Sequence, residues 1–152
     1  MMRGLFLAAC GVMAFGMAGG ALAQGDVIAE RRAGLRAAGA TLEAVQQAVQ
    51  ARGDTRALVG RIDQTIAFYQ SFPARFPTAS LTPPVAQGTQ DGQTRALAVI
   101  ETNRAGFQTA NANTITALTA LRAAAESGSI PTDALRATGA SCGACHQQFR
   151  AR

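Results

Sequence analysis

Cys142-Gly143-Ala144-Cys145-His146, close to the end of the chain, decides how the rest of the sequence is read. Its form, C-x-x-C-H, is that of a covalent c-type haem attachment site. Two thiols three residues apart on a helix face the same side, so both can form thioether bonds to the vinyl groups of one porphyrin. His146, next to the second thiol, then stands beneath the iron as its proximal ligand. Competing readings fail on inventory. A structural zinc site takes four Cys or His ligands, and the chain has only Cys10 besides these two cysteines and no histidine but His146. A thioredoxin-like redox pair belongs in a βαβ setting, which the sequence does not offer.

Working outward from the motif, the 152 residues are 48% apolar, with no Trp and one Tyr, which suits one small domain. Apolar positions recur at helical spacing and period-two alternation is not sustained, so the expected class is all-α. The first residues read as a secretory leader. Arg3 supplies the positive charge, Leu5 to Met17 the apolar run, and Ala21-Leu22-Ala23 the small-x-small cleavage site. The division is therefore 1–23 signal peptide and 24–152 mature domain, starting at Gln24. Leu7-Ala8-Ala9-Cys10 has the form of a lipoprotein cleavage box, but it follows only about five apolar residues, short of the 7–15 of an h-region. No other segment is apolar enough to span a bilayer, so a periplasmic protein is expected. Losing Arg3 with the leader lowers the formal net charge from +5 to about +4, carried by arginine without any lysine. No dense basic run with interleaved aromatics points to nucleic acid. The charge reads either as a solvated surface or as steering toward acidic partners or membrane surfaces.

Gly25-Asp26 offers an N-cap to a first helix. There Ile28, Arg31, Leu35, Ala38, Leu42, Val45 and Val49 alternate steps of three and four, the seam of an antiparallel bundle. Arg31 is its odd member. It either snorkels to water or reaches a haem propionate or the edge of the distal pocket. Gly53-Asp54 ends this helix and caps the second, whose inner face is Leu58, Ile62, Thr65/Ile66 and Tyr69. Phe72-Pro73 and Phe76-Pro77 stop it, and prolines and glycines from Pro73 to Gly92 mark a long crossover. Phe76 is either a core plug or a cofactor contact. Asp91 or Thr94 caps a third helix with Leu97, Ile100, Arg104, Phe107, Asn111, Thr114, Leu118 and Leu121 inward. Its polar members either face the haem or rotate off the seam. Gly128 ends it, and Pro131 opens a fourth helix on which Leu135, Thr138, Cys142, Cys145 and Phe149 share a stripe. The sum is an antiparallel four-helix bundle with one haem c attached near the C-terminus.

Electron-carrying haem is commonly capped by Met or a second His. Met1, Met2, Met13 and Met17 all fall in the leader, and the mature chain keeps one His and no Lys. Tyr69 remains, but phenolate ligation needs a lowered pKa. The expected iron is five-coordinate, with Leu35, one turn after Arg31, covering the distal face.

Cys142 to Arg150 (C-x-x-C-H-x-x-F-R), the opening Val27-Ile28-Ala29-Glu30-Arg31-Arg32-Ala33 and Phe76-Pro77 before a long loop together resemble the cytochrome c′ family, over essentially the whole mature chain. The Trp that many members carry around Val99-Ile100 is missing here. The resemblance implies a left-handed bundle, often a homodimer through the first two helices, with pentacoordinate high-spin haem. It also implies Arg31 near the propionates, Leu35 over the iron, and Arg150 beside the proximal histidine, tuning NO binding there. Two roles follow for a periplasmic haem c protein of this kind. One is binding of small neutral gases such as NO and CO, including dedicated NO sequestration or sensing. The other is electron transfer with a redox partner. An enzyme such as a peroxidase is not expected, because no distal His or carboxylate pair is available for acid–base work.

Overall fold

The computed structural model describes residues 19–81 and 93–152, with side chains from residue 26 onward. Residues 1–18 of the leader and the Asp91 cap lie outside the described residues, and the side chains around the cleavage site after Ala23 are not described. Four long helices form the molecule: α1 (Gly19–Gln50), α2 (Val59–Ser71), α4 (Arg104–Glu126) and α5 (Thr132–Phe149). A single turn, α3 (Val99–Thr102), precedes α4, and 3₁₀ turns cover Arg56–Leu58, Phe72–Arg75 and Thr78–Ser80. Among the described residues there is no strand, only an isolated bridge between Ala96 and Arg150. The expected all-α bundle is thus the one observed, with α4 packed extensively on α5 and α2.

The seam of α1 is buried as its spacing predicts: Ile28, Arg31, Ala38 and Val45 are buried, and Leu35, Leu42 and Val49 half-buried. The helix does not start at Gly25-Asp26 but runs through them from Gly19. Ala21-Leu22-Ala23 are good helix formers, so in the full chain no end exists there for Asp26 to cap. At the other end Arg52, not Gly53, takes the left-handed conformation (φ 52°). The Gly53 N–H donates to Ala48 O (3.0 Å) and the Arg52 N–H to Val49 O (3.2 Å), a Schellman closure with arginine where glycine is preferred. Arg52→Gly is expected to raise the unfolding free energy by about 1 kcal/mol, read from urea denaturation midpoints. Asp54 accepts from the Arg56 N–H (2.9 Å) and so shapes the 3₁₀ turn before α2 rather than capping α2 itself.

The third predicted helix is broken. Asn103 leaves helical geometry (φ −121°, ψ 52°), and its side chain accepts from the Gly106 N–H to cap α4. Asparagine just before the first helical residue is the signal that reveals this. Thr94 does not cap α3; its Oγ1 accepts from the Ala96 N–H (3.0 Å) and from Arg31, as described below. Gly128 ends α4 as expected, at φ 90°.

Buried threonines on the inner faces do not orphan their hydroxyls. Thr41, Thr65, Thr114 and Thr138 each donate to the carbonyl four residues back. Asn111 donates from Nδ2 to Tyr69 O (3.0 Å) at the end of α2, and Arg104 donates to Pro73 O and Phe76 O. The polar interior of α4 therefore ties α2 and its exit turn in place.

Two clusters fill the bundle. The end beneath the α1–α2 and α4–α5 connections is aliphatic, built on Val45, Ile62, Leu118, Leu121, Ala125 and Ile130. The opposite end is aromatic: Phe72, Phe76, Phe107 and Phe149 form a chain of ring contacts with centroids 4.8–5.3 Å apart, in edge-on geometries that stabilise beyond area alone. Phe76 is one of its buried members, which settles it as a core plug. Gly34 lets α1 approach α2 here, because an added Cβ would overlap the Phe68 ring. Gly34→Ala is expected to destabilise by about 1–3 kcal/mol through overpacking, against the roughly 1 kcal/mol that alanine returns in helix propensity. Denaturant unfolding of the variant measures the balance.

Candidate cofactor site

At the aromatic end the helices separate around a cavity of about 330 Å³, within the range of small-ligand and cofactor pockets. The final turns of α5 bring Cys142, Cys145 and His146 to it. From α1 come Arg31 and Leu35, from α2 Tyr69, from α4 Phe107 and Thr114, and from the segment before α3 Thr94 and Ala96. Phe72, Ile100 and Phe149 complete the apolar lining, and Arg150 stands at the edge. Arg31, Leu35, Cys142, Cys145, His146 and Arg150 thus meet at one cavity, whereas Phe76, Arg104 and Asn111 do not line it. Phe107 belongs to both the cavity wall and the aromatic cluster.

The two thiols are half-buried and His146 is exposed. Burial raises the pKa of both cysteines. Partial desolvation of the ring, and secondarily the Arg150 charge, lower that of His146, which favours the neutral imidazole whose lone pair a metal takes. Burial, foremost, raises the Tyr69 phenol above its ordinary value, so it stays protonated and is a poor ligand.

Arg31 does not snorkel to water. It is 3% exposed. Its Nη1 donates to Arg75 O (3.0 Å) and Ser80 Oγ (3.2 Å), and its Nη2 to Thr94 Oγ1 (2.7 Å) and Ser80 O (3.4 Å). The guanidinium also lies 4.3 Å from the Phe76 ring centroid. Burial pulls its pKa below the ordinary arginine value, down to about 10, which leaves it charged at neutral pH. Arg31 lines the cavity, but its donors serve the two ends of the crossover. Ser80 and Thr94 lie 49 and 63 positions away in sequence, and nothing in the local pattern pointed to them.

A second tie was equally invisible. The Leu97 N–H donates to Phe149 O (3.0 Å) and the Ala151 N–H to Arg95 O (2.8 Å). The chain after α5 thereby pairs with residues 95–97 and fixes the wall beside His146. Arg150, at the centre of that pairing, is close enough for its charge to act on the imidazole.

The donor set discriminates between guests. Among the described residues no three His, Cys, Asp or Glu side chains gather to hold a bare metal ion. A flat apolar macrocycle that brings its own metal ligands fits instead: two thiols for covalent attachment, one neutral imidazole, and aromatic and aliphatic walls. Bundle and cavity define the class of helical proteins that carry a porphyrin at one end of the core. The sequence profile of the cytochrome c′ family matches residues 26–150, and the chain belongs to that family, whose members carry one covalently bound haem c. Solved structures share the fold. Cytochrome c′ from Thermochromatium tepidum superposes with a TM-score of 0.73 at 23% identity, covering 85% of this chain and 97% of that one. Cytochrome c prime from Shewanella frigidimarina gives 0.65 at 22%, covering 85% and 97%. A ferrous variant of the Alcaligenes xylosoxidans protein with bound NO gives 0.69 at 19%, covering 85% and 96%. A comparison with curated protein sequences finds no match.

Proposed function

We propose that this is a periplasmic haem c protein that binds small neutral diatomic gases at a five-coordinate iron and exchanges single electrons. Cys142 and Cys145 hold the porphyrin and His146 is the axial ligand. Leu35 covers the opposite face, and Arg150 tunes the His146 side. One observation carries this reading. Of the side chains lining the cavity, His146 is the one ready iron ligand: the others are apolar, hydroxyl or amide groups, guanidiniums, the two anchoring thiols and a phenol held protonated. When bound, haem c supplies an iron whose open face takes NO or CO by back-donation. The protein's part is to cover that face with the apolar side chain of Leu35. The NO bound in the Alcaligenes xylosoxidans relative supports the same use. No carboxylate lines the cavity among the described residues, which weighs against acid–base catalysis.

The optical spectrum of purified holoprotein tests this. High-spin ferric and ferrous bands, and a Soret shift when CO is added, are the expected result. Low-spin bands indifferent to CO would overturn it. Leu35→Ala is expected to speed CO association, because a smaller side chain clears the open face, while leaving the ferric spectrum unchanged. Recovery from a periplasmic extract, with the mature chain starting at Gln24 by mass spectrometry, tests the location. Analytical ultracentrifugation tests the homodimer that the family likeness implies. Among the described residues no helix is long and apolar enough to cross a membrane.

A further inference from the structure

Tyr69 is the chain's single tyrosine, and the chain has no tryptophan. α1 and α4 each pack against both α2 and α5, so α2 and α5 face one another across the diagonal of the bundle. The Tyr69 ring, carried on the last turn of α2, reaches along that diagonal. It packs against the aliphatic and the aromatic clusters alike, with the Phe68 and Phe72 ring centroids 5.5 and 5.3 Å away. It also lines the cavity, together with Cys142 and Cys145 of α5. The ring thus stands as a floor between the cavity and the aliphatic core. Cys142 and Cys145 act on the phenol second only to burial, which places its hydroxyl beside the two sulfurs. Burial raises the Cys142 thiol, and hydrogen bonds from Ser141 and then Tyr69 draw it back.

Asn111 on α4 fixes this floor from behind. Its Nδ2 donates to Tyr69 O (3.0 Å), a carbonyl at the C-terminal end of α2 that also accepts from the Phe72 N–H. The other half of the amide is costly. Asn111 is 6% exposed, and among the described residues its Oδ1 has no hydrogen-bond partner. A buried acceptor left unpaired is destabilising. Turning the amide over would set Oδ1 against the Tyr69 carbonyl, acceptor facing acceptor. An apolar residue of the same shape would avoid the cost and lose only the hold on Tyr69. What Nδ2 holds is therefore what the asparagine is for.

We propose that Tyr69 is a positioning residue for the haem, its phenol donating to the sulfur of the Cys142 bridge while Asn111 holds its backbone. The inference rests on the haem reading above. A thioether sulfur has no proton to give and can only accept, and a hydroxyl taken out of water is stabilised by an acceptor. Tyr69 meets the sulfur from a helix other than the one that bears the haem motif, so the bridge is registered against α2 as well as α5. The O–H dipole turns its positive end toward the bridge in an interior that screens it weakly, which favours the less positively charged ferrous state.

With one tyrosine and no tryptophan, ultraviolet resonance Raman of the holoprotein reads this phenol without interference from another phenol or an indole. Its tyrosine doublet is expected to have the intensity ratio of a phenol that donates a hydrogen bond. In Tyr69→Phe the haem is expected to stay attached and high-spin, while the midpoint potential falls and the carbon–sulfur stretching band of the bridge shifts. Asn111→Leu, which keeps Tyr69 but releases its carbonyl, is expected to move the tyrosine doublet toward that of a solvated phenol. These readouts separate positioning from packing. Phenylalanine fills the same floor, so a ring that only fills space leaves the potential and the band where they were. A solvated-phenol doublet in the parent, or a Tyr69→Phe protein matching the parent in both potential and band, overturns the hydrogen bond while the haem reading stands. A doublet unmoved by Asn111→Leu overturns the part given to Asn111. A purified protein with no Soret band overturns the haem reading and this one together.

Discussion

Exchange of Cys142 and Cys145 for serine is expected to abolish covalent haem attachment outright. The porphyrin of the variant should leave the polypeptide in acidified organic solvent, whereas that of the parent stays with the chain through denaturing electrophoresis. The basis is geometric. Both thiols lie on one stripe of α5, are half-buried, and open on the same cavity as His146. Serine preserves size and helix but forms no thioether. Each single exchange leaves one possible bond, so attachment should weaken in two steps, with the mass of the intact variant reporting which bonds remain. Retention of haem by the double variant through denaturation would mean that another side chain carries it. Because Thr138 and Phe149 on the same stripe are buried whatever becomes of the thiols, the far-UV signal of the bundle should survive.

The second large effect is expected at Arg31. Arg31→Met keeps the length and apolar stem but strips the guanidinium donors from Arg75 O, Ser80 O, Ser80 Oγ and Thr94 Oγ1; Thr94 Oγ1 keeps the Ala96 N–H and Ser80 Oγ its bond to Pro77 O, so the backbone carbonyls of Arg75 and Ser80 carry most of the cost. A buried acceptor left without a donor costs about 1–3 kcal/mol. Relief of the guanidinium's desolvation offsets part of that, so the net loss should be about 2–4 kcal/mol in urea unfolding. Arg31→Lys keeps the charge but presents no planar fork; a single ammonium cannot reach acceptors on both sides of the crossover, and it should recover less than half of the loss. The sign of the pH dependence follows from the lowered pKa. Burial favours the neutral form, so the desolvation penalty is fully present below about 10 and is relieved as pH rises above that toward the ordinary arginine value. The stability gap between parent and methionine variant should therefore be flat through the neutral range. Hydrogen exchange should quicken at residues 94–97, since both ties that hold this wall, Arg31 to Thr94 and Leu97 to Phe149, then rest on one.

The seam of α1, the inner face of α2 and the stripe of α5 were legible because helical periodicity forces every third or fourth residue to one side. The glycine stop at Gly128 was legible because few residues tolerate its φ. Other features were not. The break at Asn103 was hidden by an apolar rhythm that runs on across it from Ile100 to Phe107. Arginine at a left-handed position after α1 goes against the local preference, and Gly53 beside it drew attention one residue too far. The seam's spacing presented Arg31 as an exception to be excused, because a lone cation among apolar positions says nothing of acceptors dozens of residues away.

Sequence by itself determined the helical class and the C-x-x-C-H motif of haem attachment, since each is a matter of local spacing. Only the tertiary structure decided what Arg31 holds, how the chain after α5 latches the cavity wall, that Phe76 is core, and that arginines from distant segments converge on one opening. Those are contacts between residues far apart in the chain, and their partners are chosen by packing rather than by any pattern a neighbour can announce.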